Sequence, residues 1–230
     1  IVPNAAATKI HWLLNNDTRV EPGALPALLD ALVEERFDIV GSRSVAFDDP
    51  SRTLSAGGWI SRWSGATHRR PAGAPRPPDY AEGASFLFTA KLFKELGPLS
   101  EDYFLYYEET DYCFAAKSKG YRVGVAENSR VRHRVGATTG SGMARGKVPF
   151  FADALQLTNR VRFAKRYLPS PLLVDIGWFL SLLLRISRGQ FQRITPLVRM
   201  RFSPSYFAKV ISDHGGHYPP TLPTKEGALE

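Results

Sequence analysis

Two periods alternate along this chain, and the switches between them predict its elements. Ile10-His11-Trp12-Leu13-Leu14 is a short apolar run that stops at Asn15-Asn16-Asp17-Thr18, the pattern of a strand running into a turn. Past Glu21-Pro22-Gly23 the spacing becomes helical. Leu25, Leu28, Leu29, Leu32 and Val33 share one face, and Asp30, Glu34 and Glu35 take the other. Phe37-Asp38-Ile39-Val40-Gly41 reads as the next strand, so the chain opens in the strand, helix, strand order of an α/β fold.

The pattern then loosens. Gly57-Gly58 and the Pro/Gly-rich run from Pro71 to Pro78 predict turns and a loop. Ser85-Phe86-Leu87-Phe88 predicts a strand. Ala90 to Leu96 predicts a short helix stopped by Gly97-Pro98, and Glu108 to Lys119 a longer one with Gly120 as its C-cap. Tyr121 to Val125 alternates as a strand, and Val131-Arg132-His133 predicts another short one. Gly136 to Gly146 reads as a loop. Helices are expected over about 149–168, 171–187 and 191–210.

Composition narrows this picture in three ways. The 230 residues, 43% hydrophobic and 23% charged, suit one large domain or a domain with an appendage. A single cysteine, Cys113, rules out an internal disulfide framework and a cysteine-cluster zinc site, and its place beside Phe114 predicts a small core residue. The strongly apolar stretch Pro171 to Ile186 is short for a membrane span and contains Asp175.

Charge divides the chain. Residues 1–114 carry 11 Lys or Arg against 16 Asp or Glu, a net of −5; residues 115–210 carry 18 against 3, a net of +15. The acidic part suits a cation and the basic part suits phosphates, although solvated helix faces account for the same distribution.

Candidate chemistry lies where strands stop. Asp17, flanked by Asn15 and Asn16, can hold a hard divalent cation through oxygen at the carboxyl end of a strand, or can close an Asx turn or cap a helix. Glu108, Glu109 and Asp111 follow an aromatic run, Tyr103 to Tyr107. Acids in a first helical turn favour the helix dipole, but a carboxylate crowded by other carboxylates and by rings also gains the raised pKa of a general base. His133 is either structural or a metal ligand. Its neighbours Arg130, Arg132 and Arg134 can pair with a diphosphate. The glycine-rich run ending in Lys147 departs from the P-loop pattern at Ser141 and Val148, and no Gly-x-Ser-x-Gly elbow is present.

Taken in series, these segments resemble family 2 glycosyltransferases, the bacterial rhamnosyl- and galactofuranosyl-transferase-like group. Leu13-Leu14-Asn15-Asn16-Asp17 through Leu25 is similar to their metal-binding segment, and Gly83-Ala84-Ser85-Phe86-Leu87-Phe88 to their glycine-led central strand. Tyr103 through Cys113 resembles their acidic catalytic motif, and Gly120-Tyr121-Arg122-Val123 with Val131-Arg132-His133 the strand and histidine that follow. The resemblance covers roughly residues 10–168. It implies a GT-A fold, a Rossmann-like nucleotide-diphospho-sugar transferase architecture, with 1–148 as a partial catalytic domain and 149–230 as a helical extension and tail. It implies a nucleoside-diphosphate sugar of UDP or dTDP type, Mg2+ or Mn2+, and inverting transfer of a hexosyl group to a glycan or polyprenyl-linked glycan of the cell surface. By that likeness Glu109 is the general base, and Glu108, Asp111, Gly83 and Ala84 bind or orient the acceptor. Asn15, Asn16, Asp17, Arg132 and Arg134 meet the donor, Asp17 and His133 hold the metal, and the Gly136–Gly146 loop closes over the donor. Asn15 stands where the family has the first Asp of its DxD motif. The opening strands and nucleobase pocket of that family have no counterpart here, so further sequence is expected ahead of residue 1.

The basic part adds a partner. Phe150, Phe151, Ala154, Leu155, Thr158, Val161 and Ala164 form one apolar helix face, with Arg160, Arg162, Lys165 and Arg166 on the polar side. Leu172-Leu173-Val174 and Trp178 to Leu184 supply a second apolar helix, followed by Arg185, Arg188, Arg193, Arg199 and Arg201. That composition fits an anionic membrane interface, hence a cytoplasmic protein peripheral to the inner face of the plasma membrane. Packing on the catalytic domain or a homo-oligomer contact fits the same faces. A nucleic-acid partner is disfavoured because the aromatics have core spacing rather than that of a stacking platform. A scaffold that binds carbohydrate or nucleotide without catalysis is the remaining rival.

Overall fold

The computed structural model describes residues 9–134 and 149–214; the expected Gly136–Gly146 loop lies outside them. The described chain is α/β. A six-stranded sheet has the order β1-β7-β3-β8-β2, with β4 added to β3. Its strands are β1 (Ile10–Leu14), β2 (Thr18–Val20), β3 (Ile39–Ala46), β4 (Thr53–Ser55), β7 (Ser85–Thr89) and β8 (Val123–His133). β5 (Gly58–Ile60) and β6 (Thr67–Arg69) form a separate hairpin. β3 and β8 run parallel, and β7 runs antiparallel to both β1 and β3, so β1, β3 and β8 share a direction. Their carboxyl ends, and the start of β7, therefore lie at one end of the sheet.

Strand periodicity divides the core between two faces. Leu28 and Ala31 of α1 (Ala24–Val33) bury Val40, Leu87 and Ala126 on one face. On the other, Ile39, Phe86 and Phe88 pack with Tyr112, Cys113 and Phe114 of α3 (Glu108–Ser118), Leu92 of α2 (Ala90–Leu96) and Phe163 of α4 (Phe150–Tyr167). Ser42, Ser85 and Ser129 are buried at the sheet centre. Ser42 Oγ lies 2.7 Å from both other hydroxyls, and Trp12 Nε1 donates to Ser85 Oγ at 3.0 Å. This chain of hydroxyls satisfies polar groups that apolar strands would otherwise strand.

α4 also belongs to a helical core. Leu155, Val161 and Ala164 pack with Val174, Trp178 and Leu182 of α5 (Pro171–Ser187), Leu197 and Met200 of α6 (Ile194–Phe202), and Phe207 and Ile211 of α7 (Pro204–Ser212). The helical part is thus joined to the sheet through a shared helix.

Three sequence expectations need correction. Residues 123–133 form one strand rather than two short ones. Pairing with β3 jumps from Ser42↔Ala126 to Arg43↔Arg130, so the polar stretch between is a bulge within a continuous strand. The third helix breaks at Ser203. Pro204 cannot supply the amide that continuation needs, and Ser203 Oγ caps α7 by accepting from the Tyr206 amide at 3.2 Å. The arginines of α4, expected on the polar side of the helix, bond to protein partners. Arg162 donates to the Asp102 carbonyl and to Asn159 Oδ1, and Arg166 pairs with Asp111 at 3.1 Å. Arg160 reaches Gly177 O and Ser181 Oγ of α5. No described helix is long and apolar enough to cross a membrane.

Candidate active site

The end of the sheet where β1 and β8 finish carries the site. Leu14 pairs with Ser85, and the Asn15 amide continues the ladder to Ala84 O at 3.3 Å. Thr18 Oγ1 donates to Asn15 O at 2.6 Å and closes the turn. β2 then returns against β8 with Thr18 opposite His133. The consequence is that His133 Nε2 lies 3.3 Å from Asp17 Oδ1. That carboxylate oxygen is buried and has no hydrogen-bond partner. A half-buried carboxylate facing an imidazole nitrogen, with an oxygen unsatisfied, is a donor set that a divalent cation fits. Among the described residues no third His, Cys, Asp or Glu joins them, so a cation there would draw its other ligands from water or substrate.

Beside the pair opens a cleft of about 480 Å³. Asn15, Gly83, Ala84, Glu108, Glu109 and His133 all line it. Gly41 permits this arrangement: a Cβ there would stand 2.9 Å from that of Ala81, so only glycine lets the 81–83 segment cross the sheet so closely. The segment brings Gly83 against the Glu109 carboxyl group, which lies 3.8 Å from where a Gly83 Cβ would be.

Glu108 and Glu109 are presented by an irregular turn. Phe104, Tyr106 and Tyr107 all have positive φ (56°, 69° and 77°), a conformation unfavourable for side chains of this size. Asn159 of α4, fully buried, holds the turn: its Nδ2 donates to the carbonyls of Tyr103, Leu105 and Tyr106 at 2.7, 2.8 and 3.1 Å. Tyr107 is anchored separately, its hydroxyl donating to Gly65 O at 2.9 Å. The Oε2 atoms of Glu108 and Glu109 are both buried without a hydrogen-bond partner. Burial, then the charges of Glu108 and Glu82, push the Glu109 carboxyl up to about 8, while its own amide and that of Gly83 favour the charged form. Burial also raises Glu108. An acid held near neutrality and facing a cleft can accept a proton from a bound hydroxyl.

Not every expected site residue converges here. Asp111 is buried away from the cleft. Its Oδ1 accepts from Tyr103 Oη at 2.8 Å and pairs with Arg166 at 3.1 Å, which fits a role in joining α3 to α4. Strand alternation turns Arg132 away from His133, and Arg132 and Arg130 both pair with Glu21, at 2.8 and 3.0 Å. Arg134 lies over the Phe47 ring at 4.3 Å. Asn16 is exposed in the turn. Among the described residues the arginine that lines the cleft is Arg69 on β6; it, Glu82, Thr67 and Tyr80 were not among the expected site residues. An acid beside Gly83, in the acidic half of the chain, was a signal for Glu82. Nothing in the spacing of β6 marked Arg69.

No family model matches the chain. One segment of 49 residues, 21% of the chain, is 33% identical to the low-salt glycan biosynthesis hexosyltransferase Agl10 of Haloferax volcanii, and spans 16% of that protein. The likeness is thus to a glycosyltransferase, over a short stretch of each chain.

Proposed function

We propose that this protein is a metal-dependent inverting glycosyltransferase of GT-A type. It moves a hexosyl group from a nucleoside-diphosphate donor, UDP- or dTDP-linked, to a hydroxyl of a glycan or polyprenyl-linked glycan. The observation that carries this reading is that His133, with Asp17 beside it, and the Glu109 carboxyl line or border one cleft, each acid with a buried oxygen lacking a hydrogen-bond partner. The segmental likeness to a hexosyltransferase supports it.

Asp17 and His133 would hold Mg2+ or Mn2+, which when bound offsets the charge developing on the diphosphate. Arg69, rather than Arg132 or Arg134, supplies positive charge from the protein in the cleft. Gly83 and Ala84 leave room for the acceptor beside Glu109. Its hydroxyl oxygen attacks the anomeric carbon as the bond from that carbon to the diphosphate oxygen breaks. The electron pair leaves with the diphosphate, and the proton passes to Glu109. A single displacement inverts the anomeric centre. Burial, then the charges of Glu108 and Glu82, keep the Glu109 carboxyl basic.

The exposed stripe of α5, with Leu172, Phe179, Leu180 and Leu183, supports peripheral attachment to a membrane surface. Since most arginines of α4 bond inside the protein, attachment rests more on apolar area than on charge.

The test is sugar transfer, or donor hydrolysis, by wild type and Glu109→Gln, alongside calorimetry with UDP and Mn2+. Loss of turnover with nucleotide binding retained supports the assignment. Full turnover in the variant removes Glu109 from the role.

A further inference from the structure

Beyond the cleft lies a second cavity, of about 440 Å³, between α4 and α5. Arg160, Arg185, Arg188 and Arg193 line it, and among the described residues Asp153 is the one acid in its lining. Asp153 is shared: it pairs with Arg185 through both oxygens and with Arg193 at 3.0 Å. Two guanidinium groups thus divide one carboxylate. Arg160 has a hydroxyl and a carbonyl as partners, and its Nε is buried without one. Burial disfavours its charge. Arg188 is exposed at the rim. Among the described residues neither Arg160 nor Arg188 pairs with a carboxylate, so this wall of the cavity carries positive charge that an anion would neutralise. Arginine's planar fork matches phosphate oxygens.

The cavity continues into the cleft. Thr67, Tyr107 and Gln156 line both. The cleft therefore reaches from Asn15 and His133, past the Glu109 carboxyl, to the mouth of an arginine-lined pocket. Gly65 lets the β5–β6 turn sit directly on α4: a Cβ there would lie 2.7 Å from that of Ala164.

We propose that this arginine pocket binds a phosphate or diphosphate group carried by the acceptor, placing the acceptor's hydroxyl in the cleft at Glu109. The inference rests on the transferase reading above, but it concerns different residues and can fail separately from it.

The test is calorimetric titration of the protein with inorganic pyrophosphate in the presence of a chelator, so that binding through a divalent cation does not contribute. Wild type is expected to bind. Arg188→Ala, at an exposed position, is expected to weaken binding about tenfold, as loss of one charge-assisted contact does. Arg160→Gln with Arg188→Ala is expected to abolish it. Binding of UDP with Mn2+ by Arg188→Ala should be unchanged. No binding by wild type, equal binding by the variants, or loss of UDP and pyrophosphate binding together overturns the proposal. Arg188-dependent binding to phosphatidylglycerol vesicles without pyrophosphate binding also overturns it, assigning the pocket to a bilayer headgroup. If UDP with Mn2+ does not bind but Arg188-dependent pyrophosphate binding persists, the donor assignment fails and the anion pocket stands.

Discussion

Asp17 Oδ1 and His133 Nε2 lie 3.3 Å apart because β2 folds back on β8 and sets Thr18 opposite His133. The two groups are distant in sequence but adjacent in register, so the pair is a product of strand pairing. Removing either side chain leaves the ladder intact, because only backbone groups make it. Asp17→Asn and His133→Ala are therefore expected to fold. Each should reduce by tenfold or more the affinity for UDP measured in the presence of Mn2+. A thermal-shift titration of UDP with and without Mn2+ reads this directly. Unchanged Mn2+-dependent stabilisation in both variants would remove the pair from cation binding.

Much of this site could be read from the sequence, for reasons visible in particular residues. The Leu14-to-Asp17 stop and the Gly83 strand were legible because an apolar run ending in polar residues has few structural meanings. Glu108 and Glu109 were legible because acids rarely follow five large apolar or aromatic residues without a reason. The bonding of Arg160, Arg162 and Arg166 to protein partners was not, since a long charged side chain on a helix gives the same periodicity whether it meets water or a carbonyl. β8 read as two strands because Glu127, Asn128 and Ser129 interrupt its apolar pattern. Ser129 is nonetheless buried against Ser42, a tertiary contact that periodicity does not encode. The three-residue strands β2, β4, β5 and β6 are too short to show a period at all.

If Glu109 is the proposed base, its raised pKa links rate and stability with opposite signs. Its folded-state carboxyl titrates near 8, above the usual glutamate value of 4.5. Between those values the unfolded chain ionises this group while the folded chain keeps its proton, so rising pH removes stability across that window and no more above it. Glu109→Gln has no such loss. The variant is expected to match wild type more closely at pH about 4.5 and to exceed its thermal stability increasingly toward pH about 8, while transfer falls by about a hundredfold or more. Melting curves across that range check the first part. A variant less stable than wild type at pH about 8 would contradict it.

The same titration shapes the rate. A base must be ionised to accept a proton, and Glu108, Glu82 and the phenols of Tyr80 and Tyr107 surround Glu109 without a cationic side chain among its principal charge partners. The transfer rate is expected to climb by about tenfold from pH 6 to 7, and to level off above about 8. A rate-against-pH profile at saturating donor reads the limb. A flat profile between pH 6 and 8 would show that some other group limits the reaction.

Asp111 stands apart from its acidic neighbours Glu108 and Glu109. Its carboxylate binds Tyr103 and Arg166 in the interior and does not line the cleft. Asp111→Asn keeps an acceptor for Tyr103 but removes the charge facing Arg166. Arg166 is half-exposed and can turn to water, so the loss should stay near 1 kcal/mol, or roughly 2–4 °C in melting temperature. KM for the acceptor is expected to be unchanged. A rise in that KM of tenfold or more with unaltered melting would restore Asp111 to the acceptor site.

Asn159 acts on the acids from a distance. Its amide ties three carbonyls of the turn that holds Tyr106 and Tyr107 at positive φ, and the turn leads directly into Glu108 and Glu109. Bulky residues occupy that conformation at a cost of order 1–3 kcal/mol each, and persist there only when neighbours over-determine it. Asn159→Ala leaves the Leu105 and Tyr106 carbonyls without this donor, while Tyr103 O keeps the Leu105 amide, and it also removes the Arg162 contact to Asn159 Oδ1. A stability loss of about 1–3 kcal/mol is expected from the unsatisfied groups. The diagnostic effect lies elsewhere: with the turn relaxed, Glu109 loses its fixed place in the cleft, so kcat should fall by tenfold or more at temperatures where the variant is fully folded, while UDP affinity in Mn2+ is retained. Asn159→Asp supplies the control. It keeps size and the possible pairing with Arg162 but has no amide to donate, so it should show the same loss in kcat. Normal turnover by folded Asn159→Asp would mean that the turn holds its shape without the amide, and that Asn159 serves only the packing of α4.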